Sequence, residues 1–272
     1  MRSDLAEYVS PALVLILHGG GGTGDGMERT ITLGGFNNLS DEYQFIAAYP
    51  DGYEKHWNDG RKNVLDPAHL ENLNDVDFFA ALIENLTNKY NVDPDRIFIT
   101  GISNGAMMSF RLAIELPHLF AAIAPVAGAL PVDQIPLHNS SIPVSVCVIS
   151  GTHDTLVPWE GGMVGTKRNP RGEVISVPDT VQYWVDHNLC NKTPYSSVLP
   201  DVDPRDRTKV YLDKYSSGLN GTDVFLYRIE NGGHTRPSGY QYFPRFLIGR
   251  TCRYIDANEV IWDFFASHVW SD

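Results

Sequence analysis

The pentapeptide Gly101-Ile102-Ser103-Asn104-Gly105 constrains this chain more than any other stretch, because of what flanks it. Before it runs the apolar segment Arg96-Ile97-Phe98-Ile99-Thr100, and after it comes a helix-like segment carrying Met107, Met108 and Leu112. A G-x-S-x-G run alone often marks an ordinary turn. Between a buried strand and a helix it describes a nucleophile elbow, a sharp turn that lifts a serine hydroxyl above a sheet edge and aims the first helical N–H groups at a reacting carbonyl. The glycines two before and two after Ser103 leave the room such a crowded turn needs.

The rest of the chain reads as the scaffold for that elbow. Residues 12–17, 44–48, 97–100, 121–126 and 144–149 are short apolar runs of the kind buried parallel strands show, and 210–212 and 224–229 read as the last strands. Residues 74–90 place Val76, Phe79, Ile83, Leu86 and Tyr90 at three- and four-residue spacing behind Asn74 or Asp75 as cap, which predicts an amphipathic helix. The helix after Ser103 should stop near Leu116, because Pro117 disfavours helical backbone before it, and 256–269 reads as a closing helix. This alternation predicts an α/β class with a mostly parallel sheet covered on both faces, in one domain over 1–272. Residues 160–178 are glycine-rich, carry Lys167, Arg168 and Arg171, and show no strand or helix period; they read as a lid or surface loop.

Composition removes several classes of function. A net charge of −12 opposes binding to nucleic acid and to anionic membranes, which attract basic surfaces. No apolar run approaches the ~20 residues of a spanning helix. Met1-Arg2-Ser3-Asp4 does not open a secretory signal. Cys147, Cys190 and Cys252 are too few and scattered for a zinc site; Cys147 sits in a predicted strand, and a Cys190–Cys252 bridge stays open. The nine histidines show no ligand spacing, so no metal or organic cofactor is expected. No feature speaks to the oligomeric state.

A serine hydroxyl needs an adjacent base, and the base needs an orienting carboxylate. In the chain order Ser, acid, His, Asp154 follows the 144–149 strand through Ser150-Gly151-Thr152-His153, and His234 follows the 224–229 strand through Asn231-Gly232-Gly233. Ser103, Asp154 and His234 are therefore the expected nucleophile, acid and base. His153, one residue from the acid, is the weaker candidate base. His18-Gly19-Gly20-Gly21-Gly22 follows the first strand and exposes backbone N–H groups, so Gly20 and Asn104 are the expected oxyanion-hole donors. A phosphate loop is the alternative for the glycine run, but the Lys-Ser/Thr pair it requires is missing. His18 is expected to hold the loop.

Several stretches together resemble the polyhydroxybutyrate-depolymerase-like esterases, an α/β-hydrolase family that includes feruloyl and acetyl xylan esterases. They are Leu17-His18-Gly19-Gly20, Tyr49-Pro50-Asp51-Gly52, Asp75-Val76-Asp77-Phe78-Phe79, Val92-Asp93-Pro94-Asp95-Arg96-Ile97, the elbow, Gly151-Thr152-His153-Asp154 with Val157-Pro158, and Gly232-Gly233-His234-Thr235. The resemblance implies an α/β-hydrolase fold, the same triad, and a secreted serine esterase. The chain departs from the family pattern at Arg236, where members usually carry tryptophan, and Arg236 is expected in the pocket wall. Members often pair a cysteine matching Cys190 with one before the last strand, and residues 213–223 contain none. The chain reaches His18 sooner than members do, as a piece of a longer protein would.

Trp57 in His56-Trp57-Asn58 and Trp159 after Pro158 are expected to shape an acyl or alcohol pocket, which would suit a planar hydroxycinnamoyl group. The expected partner is a small-molecule or oligosaccharide ester. Soluble esters are favoured over solid polyester, since depolymerases of this resemblance add a linker and a surface-binding domain that are not seen here. A serine peptidase on the same triad and a non-catalytic module on the same fold are the other readings.

Overall fold

A computed structural model describes residues 10–62, 64–166 and 168–270; Lys167 falls outside them. Ten strands form among the described residues: β1 Leu13–Leu17, β2 Ile46–Ala48, β3 Ile97–Ile102, β4 Ala122–Val126, β5 Ser145–Gly151, β6 Gly162–Thr166, β7 Asn169–Val174, β8 Tyr195–Val198, β9 Lys209–Tyr215 and β10 Val224–Glu230. Eight of them make one sheet in the order β2-β1-β3-β4-β5-β10-β9-β8. The six strands from β2 to β10 are parallel, while β9 and β8 turn antiparallel at one edge.

Strand alternation explains why the central runs are apolar throughout. Leu13, Leu15 and Leu17 enter one core, and Val14 and Ile16 enter the other on the opposite face. The same split separates Val146 and Val148 from Cys147 and Ile149. A strand buried on both faces has no solvated side, so its sequence cannot alternate with polar residues. The helices Asp75–Tyr90, Asn104–Glu115 and Val177–His187 cover the first face, and Gly35–Tyr43 and Ala257–Ala266 cover the second. Phe98 of β3 stacks on Phe265 at 4.8 Å between ring centroids, which ties the last helix to the centre of the sheet.

The expected helix boundaries hold closely. Asn74 caps Asp75–Tyr90 by accepting from the Asp77 N–H at 3.2 Å, and Asn104–Glu115 ends at Leu116 before Pro117. One segment differs from expectation. Residues 160–178 are not an irregular loop: β6 and β7 form an antiparallel hairpin, and the helix Val177–His187 begins within the segment. The period is hard to see because all four of its glycines, Gly161, Gly162, Gly165 and Gly172, take positive φ and a register shift falls between Met163 and Gly165. Ser176, which accepts from the Asp179 N–H, is the capping signal that marks the helix start. Finally, Cys190 and Cys252 are not bridged; both are buried free thiols, as is Cys147. No helix among the described residues is long and apolar enough to cross a membrane.

Candidate active site

Ser103 sits at the carboxyl end of β3, where φ of 57° and ψ of −116° place it outside the ordinary helical and extended regions. Its backbone N–H donates to Val126 of β4 and its carbonyl accepts from Met107, so strand and helix both pin the turn. The side chain makes no capping hydrogen bond to the helix it precedes and stays available for chemistry. The flanking glycines are sterically required. A Cβ on Gly101 would meet the Gly105 carbonyl carbon at 2.5 Å, and one on Gly105 would meet the His18 carbonyl oxygen at 2.6 Å. Any side chain at either place would push the elbow off β1.

The expected acid and base follow β5 and β10, further along the same parallel run. β5 and β10 pair in register up to Gly151 and Ile229, and both chains then run on past the carboxyl edge of the sheet. His234 Nδ1 lies 2.7 Å from Asp154 Oδ2, with both side chains almost wholly buried. The other carboxylate oxygen of Asp154 accepts the N–H groups of Leu156 and Val157, each at 2.8 Å. Three hydrogen-bond partners thus hold the Asp154 carboxylate before any substrate arrives. The Tyr242 hydroxyl donates to the His234 carbonyl at 2.6 Å, and burial raises that phenol so that it stays a donor. His153 is exposed and does not line the cavity, so the weaker candidate base faces away.

Ser103, His234, Gly20 and Asn104 line one cavity of about 490 Å³, with His18 and Arg171 beside them. Since Asp154 occupies Nδ1, Nε2 is the His234 nitrogen left for the cavity side. The glycine loop reaches the serine because β1 and β3 pair side by side; a Cβ on Gly19 would lie 3.5 Å from the Ser103 Cβ. His18 is held in one tautomer, its Nδ1–H donating to Gly19 at 2.8 Å and its Nε2 accepting from the Gly52 N–H at 2.9 Å. Burial lowers its pKa, which keeps it neutral and structural.

Three expected pocket residues lie elsewhere. Trp57 is fully buried against His18 and Phe79, its indole N–H donating to the His18 carbonyl, so it supports the glycine loop from behind. Trp159 packs on the core beside the helix Val177–His187. Arg236 is buried over the Phe36 ring and donates to Asn258, with burial lowering its pKa to about 10. The apolar wall is built instead from Met27, Ile31, Leu156, Val164, Tyr242 and Phe243.

Behind Asn104 lies a charge cluster that linear spacing does not reveal. Asp59 is bound by Arg61 at 2.8 Å and by His69 Nε2 at 3.1 Å, and His69 Nδ1 contacts Asp66 at 2.7 Å. Burial alone would raise the Asp59 carboxyl, but Arg61 and His69 outweigh it and hold it well below the usual carboxylate range. Burial would likewise lower His69; its bonds to Asp59 and Asp66 lift it to about 9. Arg61 also donates to the carbonyl of Arg171, clasping the β6–β7 hairpin to the site. The cluster itself is local, between residues 59 and 69, but its ties to Asn104 and Arg171 span 45 and 110 positions, and nothing in the sequence marks such partners.

The fold and site can be set against known proteins. A family model described as phospholipase/carboxylesterase matches residues 7–168, more than half of the chain. The chain belongs to that family. Its members are carboxylic ester hydrolases of the α/β-hydrolase fold, and so is this chain. A Nocardia uniformis subsp. tsuyamanensis protein named as an esterase, NocK, is 30% identical to this family member over 93% of the chain and 73% of its own length. Poly(3-hydroxyalkanoate) depolymerase C of Paucimonas lemoignei is 25% identical over 83% of the chain and 55% of its own length, so the chain spans about half of that relative. An acetyl xylan esterase from Aspergillus awamori has the same fold, with a TM-score of 0.63 over 94% of this chain and 89% of that one, at 16% identity.

Proposed function

We propose that this chain is a serine esterase acting on soluble carboxylic esters through a covalent acyl-enzyme. The contact that carries the reading is His234 Nδ1 to Asp154 Oδ2 at 2.7 Å, in a cavity shared with Ser103 on its strained elbow. Ser103 Oγ attacks the ester carbonyl while His234 Nε2 takes its proton, and Asp154 holds the imidazole in the working tautomer and steadies the imidazolium. The backbone N–H groups of Gly20 and Asn104 receive the oxyanion. His234 then returns the proton to the leaving alkoxide, and water repeats the sequence to free the acid and restore Ser103.

The apolar wall with Tyr242 and Phe243 suits a feruloyl or other hydroxycinnamoyl group as well as short acyl chains. The family resemblance supports an extracellular setting and small or oligosaccharide-borne esters as substrates. The test is initial rates on methyl ferulate and p-nitrophenyl butyrate for the wild type and Ser103→Ala. The variant should lose on the order of 10⁶ in kcat. A loss below about tenfold would move the nucleophile elsewhere, and butyrate turnover without ferulate would restrict the pocket to aliphatic acids.

A further inference from the structure

The walls of the candidate cavity carry a charge opposite to that of the protein as a whole. The chain has a net charge of −12, yet Lys55, Arg61 and Arg171 line the cavity and no aspartate or glutamate does among the described residues. Arg61 is neutralised by Asp59. Lys55 and Arg171 have no carboxylate within 4.0 Å among the described residues. The Arg171 guanidinium also stands close to the expected oxyanion donor: a Cβ built on Gly20 would lie 3.4 Å from its Nη1 and 3.3 Å from the His56 ring.

The backbone holds this cation in place. The Arg171 carbonyl accepts from buried Arg61, and the neighbouring Gly172, at φ of 75°, packs so closely on Lys62 and Arg61 that a Cβ there would meet the Lys62 carbonyl at 2.9 Å. The other strand of the hairpin is tied down where the Gly165 N–H donates to Leu156 at 2.7 Å. Lys55 is fixed at the rim by its carbonyl, which accepts from the Gly21 N–H at 2.8 Å. A guanidinium with free donors, held beside a partly apolar cavity, binds a carboxylate with two parallel hydrogen bonds and gains from the low local dielectric.

We propose that Arg171, supported by Lys55, forms an anion subsite that selects esters bearing a carboxylate near the scissile bond. The proposal rests on the esterase reading and names the substrate class for that site. The carboxylate can sit on the acyl half, as in a half-ester of a dicarboxylic acid, or on the alcohol half, as in an ester of a hydroxy acid. Arg171 is a specificity residue here, and the reacting atoms remain those of Ser103 and His234.

Two matched pairs test it by kcat/KM: mono-4-nitrophenyl adipate against 4-nitrophenyl hexanoate, and 4-carboxyphenyl butyrate against phenyl butyrate. The wild type should favour the carboxylate-bearing member of at least one pair by tenfold or more, and the favoured pair identifies the half that carries the anion. Arg171→Gln should cut that preference at least tenfold, mainly through KM, Arg171→Lys should keep part of it, and added salt should weaken it. Ser103-dependent turnover of the neutral esters without any carboxylate preference would overturn the subsite alone. So would an Arg171→Gln variant that slows both members of a pair equally. Absence of Ser103-dependent turnover on all four esters would overturn both the subsite and the esterase reading.

Discussion

Asn104 is bound to Asp59 through a fully buried contact, its Nδ2 donating to Oδ2 at 2.7 Å. The same amide brackets Trp57, accepting from its N–H and donating to its carbonyl, each at 2.9 Å. The residue that follows the candidate nucleophile is therefore locked by its side chain while its backbone N–H is left for the cavity. Asp59 is in turn held by Arg61 and His69, so the placing of one proposed oxyanion donor depends on an ionic cluster behind it.

Replacing Asn104 with alanine strands the buried Trp57 N–H, while the Trp57 carbonyl keeps the Asp59 N–H and the Asp59 carboxylate keeps Arg61. A stranded buried group costs about 1–3 kcal/mol. Urea unfolding of Asn104→Ala should show a loss of about 2 kcal/mol, together with a fall in kcat of at least tenfold. An unchanged unfolding midpoint would mean that water takes up the freed group.

Asp154→Asn keeps the shape of the acid but presents an amide to His234 Nδ1, favouring the wrong tautomer. The expected loss in kcat is on the order of 10⁴. Initial rates on p-nitrophenyl butyrate check this, and near-normal turnover would place the orienting acid elsewhere.

His69 gives stability a pH dependence whose sign is fixed by its shift. Its pKa is raised in the fold, from 6.5 to about 9, so its contribution is complete below about pH 6.5 and is lost as pH rises through about 9. Asp59 is shifted the other way and loses its contribution only as strongly acidic pH is approached. Unfolding free energy measured from pH 6 to 10 should fall across that range in the wild type and fall less in His69→Gln. Parallel slopes in the two proteins would remove His69 from the account.

The elbow stores backbone strain at a single residue. A non-glycine residue in a sparsely populated φ/ψ region costs about 1–3 kcal/mol, against which glycine's extra freedom in the unfolded chain costs about 0.4–1 kcal/mol. Both Ser103→Gly and Ser103→Ala should be inactive, yet the glycine variant should unfold about 1 kcal/mol later than the alanine variant. Chemical denaturation of the pair decides it, and equal midpoints would show that the turn is not strained in solution.

Much of the fold was legible because buried parallel strands and the helix Asp75–Tyr90 announce themselves in short windows, through unbroken apolar runs and a three-to-four spacing. That Asp154 meets His234 beside a cavity lined by Ser103 was readable for a related reason: each follows a strand, and the turn glycines mark where the strand ends. The hairpin β6–β7 was not, since its glycines and bulge blur the two-residue period. The tryptophans misled because aromatic size predicts burial and says nothing of which side of a loop the ring lies on; Trp57 proved to be under the glycine loop, not over the cavity. Arg61 and Arg171 matter through a contact that spans 110 positions, which nothing local announces, and His69 through carboxylates that no motif singles out.

Because β5 and β10 are neighbours in register up to Gly151 and Ile229, the spacing of Asp154 and His234 is set by the ladder of the sheet. The long excursion between them, which includes the β6–β7 hairpin, the helix Val177–His187 and the two antiparallel edge strands, leaves and returns to that ladder without carrying the spacing itself. Such an arrangement separates two kinds of inheritance. The excursion can be lengthened, trimmed or exchanged to alter what enters the cavity, while the Asp154–His234 contact it departs from keeps its geometry.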